Sequence, residues 1–154
     1  ELEQQLRNSI ARFFAMLSRD PSKDDLGLRD LAMALDGLVA VYFGTQNVEP
    51  TDNEDAPATR YAEFYEKAAR AYPELGLYPY ANAGGDPGEE ERLVADAIDD
   101  LGDIAGDLFN VLWHFDNASI VDGIWEFRFG YQTHWGQHLH SLRNYLNSSR
   151  IGAW

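Results

Sequence analysis

The chain contains no cysteine. That excludes disulfide bonds, thiolate nucleophiles, zinc fingers and iron–sulfur clusters held by its own thiols, and it fits a reducing cytoplasm. Basic residues are scarce. Twelve Lys and Arg (12) stand against 26 Asp and Glu, a formal net charge of -14. Such a surface repels phosphate backbones and anionic lipid heads, so neither nucleic acid nor membrane is an expected partner. Solubility alone accounts for this charge; a basic partner or a cation is the functional alternative. Long apolar runs are missing as well. The longest, Leu38-Val39-Ala40-Val41-Tyr42-Phe43, is far too short to span a bilayer. The opening Glu1-Leu2-Glu3-Gln4-Gln5 is polar and acidic, unlike a secretory leader, and the absent initiator Met is consistent with trimming. No Gly-x-Ser-x-Gly, P-loop or dinucleotide glycine fingerprint occurs. Gly84-Gly85-Asp86-Pro87-Gly88 lacks the Lys of a P-loop.

What is present points to one all-α domain. The chain has 154 residues, 45% of them hydrophobic and 13% aromatic, enough to bury about two thirds of the unfolded surface on folding. Periodicity predicts five helices and no strong strand. Leu2, Leu6, Ile10, Phe13, Phe14 and Leu17 form the stripe of a first helix over about 2–18, stopped by Asp20-Pro21. A second begins near Ser22, where Ser22 and Asp25 have capping-box spacing; Leu28, Leu31, Leu35, Leu38 and Tyr42 mark its face and Gly44 its end. Residues 45–56 read as a loop. Tyr61, Phe64, Tyr65, Ala68 and Tyr72 define a third helix over about 57–71, ended by Pro73. The aromatic segment 75–85 is too rich in Gly and Pro for an element and reads as a connection that packs on the core. Asp86 caps a fourth helix with Pro87 at its first position, running to about Phe115. A fifth starts near Ser119, with Asp122 three residues on, and reaches Asn147, kinked or divided near Gly130 and Gly136. A single helical bundle over residues 1–154 is the expected architecture.

Placing residues at 100° steps singles out those that break the pattern. On the fourth helix Val94, Leu101, Ala105, Leu108 and Leu112 share the core direction, while Asp96, Asp99, Asp100, Asp103 and Asp107 lie opposite. Asp100, Asp103 and Asp107 line one edge and repel each other by a few tenths of a kcal/mol per pair, on the order of the usual like-charge cost. A solvated face, a cation site or ion pairing with another helix would each account for them. On the fifth helix Val121, Ile124, Tyr131, Trp135, Leu139, Leu142 and Leu146 form the core stripe, with Arg128 in its middle. A buried guanidinium needs carboxylates, so Arg128 is expected to pair with Asp100, Asp103 or Asp107, or else to snorkel to solvent. His134 and His138 are four residues apart at the flank of the stripe. That spacing suits two imidazoles on one metal, completed by carboxylates of another helix, or two histidines hydrogen-bonded at the core edge. The Glu of a zincin motif is absent; Trp135 follows His134. His114 and His140 read as more exposed. Trp113, Trp125 and Trp154 either pack within the chain or form a homodimer or partner surface.

The segment Trp125-Glu126-Phe127-Arg128-Phe129-Gly130-Tyr131-Gln132-Thr133-His134-Trp135-Gly136-Gln137-His138, with the upstream Asp99-Asp100-Leu101-Gly102-Asp103-Ile104-Ala105-Gly106-Asp107-Leu108, resembles a bacterial family catalogued as domain of unknown function 5063. The match is most specific over 99–143; Tyr131 stands where the family usually has Phe. The resemblance implies a bacterial all-helical protein and supplies no activity. Its signature coincides with the polar cluster of Asp100, Asp103, Asp107, Arg128, His134, Trp135 and His138. Two functions are therefore carried forward. One is a non-enzymatic bundle, without a cofactor, binding a partner protein or small ligand. The other is a metal-dependent hydrolase of a phosphorylated small molecule, with His134 and His138 on a divalent metal. For the latter, the acidic spacing from Glu89 to Asp107 is similar to that of MazG-type nucleotide pyrophosphatases, although their Glu-rich pairs on two helices are not matched.

Overall fold

The computed structural model describes residues 1–23, 25–51, 55–58, 60–89, 92–148 and 151. Among them the chain forms α1 (Leu2–Leu17), α2 (Leu28–Phe43), α3 (Tyr61–Ala71), β1 (Leu77–Tyr80), β2 (Leu93–Asp96), α4 (Ala97–Asn117), α5 (Ile120–Thr133) and α6 (Trp135–Leu146). The architecture is the expected helical bundle, with a small antiparallel ribbon added. Helix α4 is central and packs on α3, α5 and α6; α1 packs on α2. None of the helices is long and apolar enough to cross a membrane.

The apolar stripes meet in one core. Leu6, Ile10 and Phe13 of α1, Leu31, Leu35 and Leu38 of α2, and Leu101, Ile104 and Leu108 of α4 are fully buried. Each such side chain contributes about 1.5–3 kcal/mol. Where the bounds differ from expectation, local chemistry explains it. Helix α2 starts at Leu28 with Gly27 as an uncapped N-cap, because Ser22 is engaged by Asp20 Oδ1 through both its N–H and its hydroxyl. Helix α3 starts at Tyr61 rather than 57.

The largest correction lies at 86–96. Asp86 caps no helix; its Oδ1 accepts from Gly88 N at 2.9 Å in a tight turn. The chain then runs as β2 against β1, with Leu77 opposite Asp96 and Tyr80 opposite Leu93. The segment expected to be a plain connection is thus half of a ribbon, which tolerates Pro79 because two strands leave an outer edge with no donor required. As expected, it packs on the core: Tyr78 is 3% exposed. Val94, assigned to a core-facing helix, is on the ribbon and 68% exposed. The true cap of α4 is Asp96, whose Oδ1 accepts from Ile98 N at 2.9 Å. Asp99 and Asp100 follow in the first turn, where carboxylates are favoured by the helix dipole.

The fifth expected helix is two. Ser119 caps α5, accepting from Asp122 N at 3.1 Å and donating to Asp122 Oδ2 at 2.5 Å. The helix ends at Thr133, His134 leaves helical geometry at φ -147 and ψ -82, and α6 begins at Trp135. Gly136 permits this reversal: a Cβ there would lie 2.1 Å from the Tyr131 carbonyl oxygen. The break also resets the phase of the apolar stripe. Val121, aligned with Trp135 under an unbroken helix, is 36% exposed, and α5 buries Ile124 and Phe127 instead.

Candidate metal centre

Helices α4 and α6 and the α5–α6 junction bring together Asp100, Asp103, Asp107, His134 and His138. His138 lies one turn into α6, with its Nδ1 2.8 Å from Asp100 Oδ1. Asp100 is 3% exposed, and its other oxygen accepts the Tyr78 hydroxyl at 2.5 Å. A carboxylate can only accept here, so Nδ1 carries the hydrogen and Nε2 is the nitrogen left for a metal or a further proton. That Nε2 lies 3.4 Å from Asp103 Oδ2. His134 is held in the same way: its Nδ1 is 2.7 Å from Asp107 Oδ2. The two imidazole rings stand edge to face with centroids 4.8 Å apart. One ligand atom from each of Asp103, His134 and His138 falls within 4.8 Å of the others.

The electrostatics favour a cation. The His138 pKa is raised, chiefly by its hydrogen bond to Asp100, against the opposing effect of burial. The Asp103 pKa is also raised, first by burial, with Asp99 and Asp107 adding to the effect and His138 opposing it. At His138 the neighbouring aspartates favour positive charge over the effect of burial, whereas at Asp103 burial itself is the main cause.

Sequence reading missed the residues that fix this geometry from outside. Tyr78 lies on the unanticipated ribbon. Tyr65 donates to Asp96 Oδ2 at 3.0 Å and Tyr61 donates to Asp99. Helix α3 approaches closely enough because Gly102 has no side chain; a Cβ there would meet the Tyr61 ring at 3.2 Å. The aromatic pair Tyr61 and Tyr65, four residues apart, was visible as a stripe, but nothing in it indicated acidic partners.

Arg128 and Trp135 do not join the cluster. Arg128 donates to Thr45 Oγ1 at 2.6 Å and to the Thr45 carbonyl at 3.3 Å, with its guanidinium carbon 5.0 Å from the Tyr42 ring centre. Among the described residues it has no carboxylate partner: Gly130 is the part of α5 that borders Asp107, and Arg128, two residues earlier and about 200° round the helix, reaches Thr45 just beyond α2. The expected ion pair with Asp100, Asp103 or Asp107 is absent. Trp135 is 0% exposed and packs on Phe127 and Tyr131. Of the other histidines, His140 is exposed and bonded to the Tyr131 hydroxyl at 2.8 Å. His114, expected to be exposed, has a side chain only 12% exposed and faces Glu126 at 3.8 Å. Trp125 stacks on Phe129 along α5, and Trp113 packs edge-on to His114. Trp154, Glu90 and Glu91 lie outside the described residues. Glu89 sits in a turn before β2 rather than on an acidic helix.

A cleft of about 360 Å³ opens beside His138, between the ribbon and α6. Asp96, Asp99, Asp100, Tyr80 and Ser141 line it, with Leu77 and Val94 at the ribbon. No Lys or Arg is among the lining residues.

Residues 79–151 match the family described as domain of unknown function (DUF5063). The DUF5063 match covers a little under half of the chain and includes all five residues of the cluster, in line with the resemblance read from the sequence. The solved structure of protein BF1032 from Bacteroides fragilis is similar at a TM-score of 0.64 and 19% identity, over 94% of this chain and 91% of that chain. That likeness shows a shared fold that extends well beyond the DUF5063 segment. Comparison with curated proteins gives no match.

Proposed function

We propose that this chain binds a divalent transition metal through Asp103, His134 and His138, of which His138 also borders the cleft. The observation that carries the reading is the relay at His138. A buried carboxylate fixed by Tyr78 holds Nδ1–H, and Nε2 faces the carboxylate of Asp103. Metal-ligating histidines are oriented in this manner by an outer carboxylate, which sets the tautomer and raises the basicity of the ligating nitrogen. His134 with Asp107 repeats the arrangement. Two imidazoles and one carboxylate suit Zn²⁺, Fe²⁺ or Mn²⁺ better than Mg²⁺, which prefers oxygen alone. Three protein ligands leave room for a water, whose proton such an ion loosens. The cleft lining gives a phosphate group no basic partner, so a neutral or cationic ligand suits it better than a phosphorylated one.

The same contacts also clamp α4 to α6, so a purely architectural lock is the competing reading, favoured by the burial of Asp100. Calorimetric titration and thermal unfolding with Zn²⁺, Mn²⁺ and Mg²⁺ after chelation separate the two. An ion at about 100 times its dissociation constant adds roughly 2.7 kcal/mol of stability. Transition metals are expected to raise the unfolding temperature by several degrees. The rise is expected to disappear in Asp103→Ala and His138→Ala and to survive in His140→Ala. No rise with any of the ions, or one unchanged in the first two variants, refutes the metal reading.

A further inference from the structure

His138 is held by a complete relay: Tyr78 hydroxyl to Asp100, Asp100 to Nδ1. His134 has only the first link, Asp107 to Nδ1. This matters because His134 is the least constrained of the three ligands. Its side chain is 48% exposed, and it sits where α5 ends and α6 begins. One buried donor near Asp107 has nothing to bind. Trp135 is fully buried, and its Nε1–H has no hydrogen-bond partner among the described residues. A buried orphan donor is uncommon and calls for a reason.

The position of that donor supplies one. The point where a Cβ would stand on Gly130 is 2.9 Å from Trp135 Nε1 and 3.7 Å from Asp107 Oδ2. The indole and the carboxylate thus border the same spot on α5. Any side chain at 130 would separate them or displace the ring, since its Cβ would also lie 2.8 Å from Trp135 Cδ1. The carboxylate of Asp107 has lone pairs to spare while it holds His134.

We propose that Trp135 is a positioning residue of the metal site: its Nε1–H takes Asp107 as acceptor when His134 carries the metal, completing for His134 the relay that Tyr78 completes for His138. The inference rests on the metal reading above. The Trp135 indole is not itself a ligand of the ion. It acts through Asp107, which then fixes the His134 ring toward Asp103 and His138.

The test follows the indole N–H resonances by ¹H–¹⁵N correlation during a Zn²⁺ titration, with metal binding measured separately by calorimetry. The Trp135 resonance is assigned by its loss in Trp135→Phe. It is expected to move downfield and to exchange more slowly with solvent as Zn²⁺ binds, and to stop responding in Asp107→Ala. Trp135→Phe is expected to weaken Zn²⁺ binding by about tenfold, the lower end for loss of an outer partner. If Zn²⁺ binds while the indole resonance stays put, Trp135 has no such role and the metal reading stands. If calorimetry shows no binding, the metal reading falls and this inference with it. Should Trp135→Phe fail to fold, the resonance is assigned by elimination with Trp113→Phe, Trp125→Phe and Trp154→Phe, and the response of the parent and its loss in Asp107→Ala decide the matter.

Discussion

Replacing Asp100 by Ala is the perturbation whose cost the structure defines best. Asp100 is 3% exposed and accepts two hydrogen bonds, from the Tyr78 hydroxyl at 2.5 Å and His138 Nδ1 at 2.8 Å. In Asp100→Ala both donors lose their acceptor. Tyr78 is 3% exposed, so its hydroxyl bears the cost of an unsatisfied buried group, about 1–3 kcal/mol, the lower figure if it turns to the nearby Ser141 hydroxyl. The His138 side chain is 27% exposed and recovers part of its bond from solvent. Removing the carboxylate also removes the cost of burying it, which offsets some of the loss. The net destabilisation expected is roughly 2–4 kcal/mol. For a chain of this length that lowers the unfolding temperature on the order of 10 °C. Asp100→Asn behaves differently. Its carbonyl still accepts from Nδ1–H, and its amide donates to the Tyr78 oxygen once that hydroxyl rotates. Only the charge is lost, at about 1 kcal/mol. Urea denaturation of the three metal-free proteins at one pH measures this order. An Asp100→Ala variant within about 0.5 kcal/mol of the parent, the scatter of ordinary surface substitutions, would mean that the Tyr78–Asp100–His138 relay does not exist in solution.

Two further outcomes follow from contacts away from the cluster. Gly136→Ala puts a Cβ 2.1 Å from a backbone oxygen and must open the α5–α6 junction; a loss of about 3 kcal/mol, the upper range for overpacking, is expected by denaturation. Gly37→Ala, inside α2 with nothing within 4 Å of the new methyl group, should instead gain about 0.5–1 kcal/mol; equal effects at the two glycines would contradict the packing described. Glu126 has its pKa raised above the ordinary 4.5, mainly by burial, with Asp107 and Asp55 adding to the rise and His114 opposing it. A raised carboxyl adds stability that is fully present below its unfolded value and lost as pH rises through the folded value. Glu126→Gln should therefore be more stable than the parent at neutral pH, and the difference should shrink toward about pH 4. A difference independent of pH would show that Glu126 is not desolvated.

The helical stripes were legible because burial follows a 3.6-residue period that needs no tertiary knowledge. Leu6, Ile10 and Phe13 of α1 and Leu31, Leu35 and Leu38 of α2 are buried as read. The ribbon was not legible. Leu77-Tyr78-Pro79-Tyr80 is four residues long, contains Pro, and finds its partner only thirteen or more residues later. No local periodicity reports such a pairing. By local sequence alone Asp86 was the expected cap, with Pro87 at the first position and Glu89 three residues on. The ribbon moves the cap to Asp96 by holding residues 93–96 extended.

The cluster shows the same division more sharply. Two histidines four residues apart suggested one face of one helix, and they do meet, but through a different geometry. His134 is the residue at which the helix breaks, and His138 lies a turn inside the next one. Their rings converge because the chain changes direction between them, which requires Gly136 beneath the Tyr131 carbonyl. Arg128 lies on α5 before the break, two residues and so about 200° from the Gly130 face that borders Asp107, and it reaches Thr45 instead. The three aspartates of α4 are consequently not a solvated stripe or the counter-charge of a guanidinium. Asp100 and Asp107 each hold the Nδ1 of a histidine, and Asp103 between them faces the nitrogen that His138 leaves free. Asp103 has a partner in either reading: the Nε2 proton of His138 where the cluster locks two helices together, or the proposed ion where it is a site, and metal titration tells these apart.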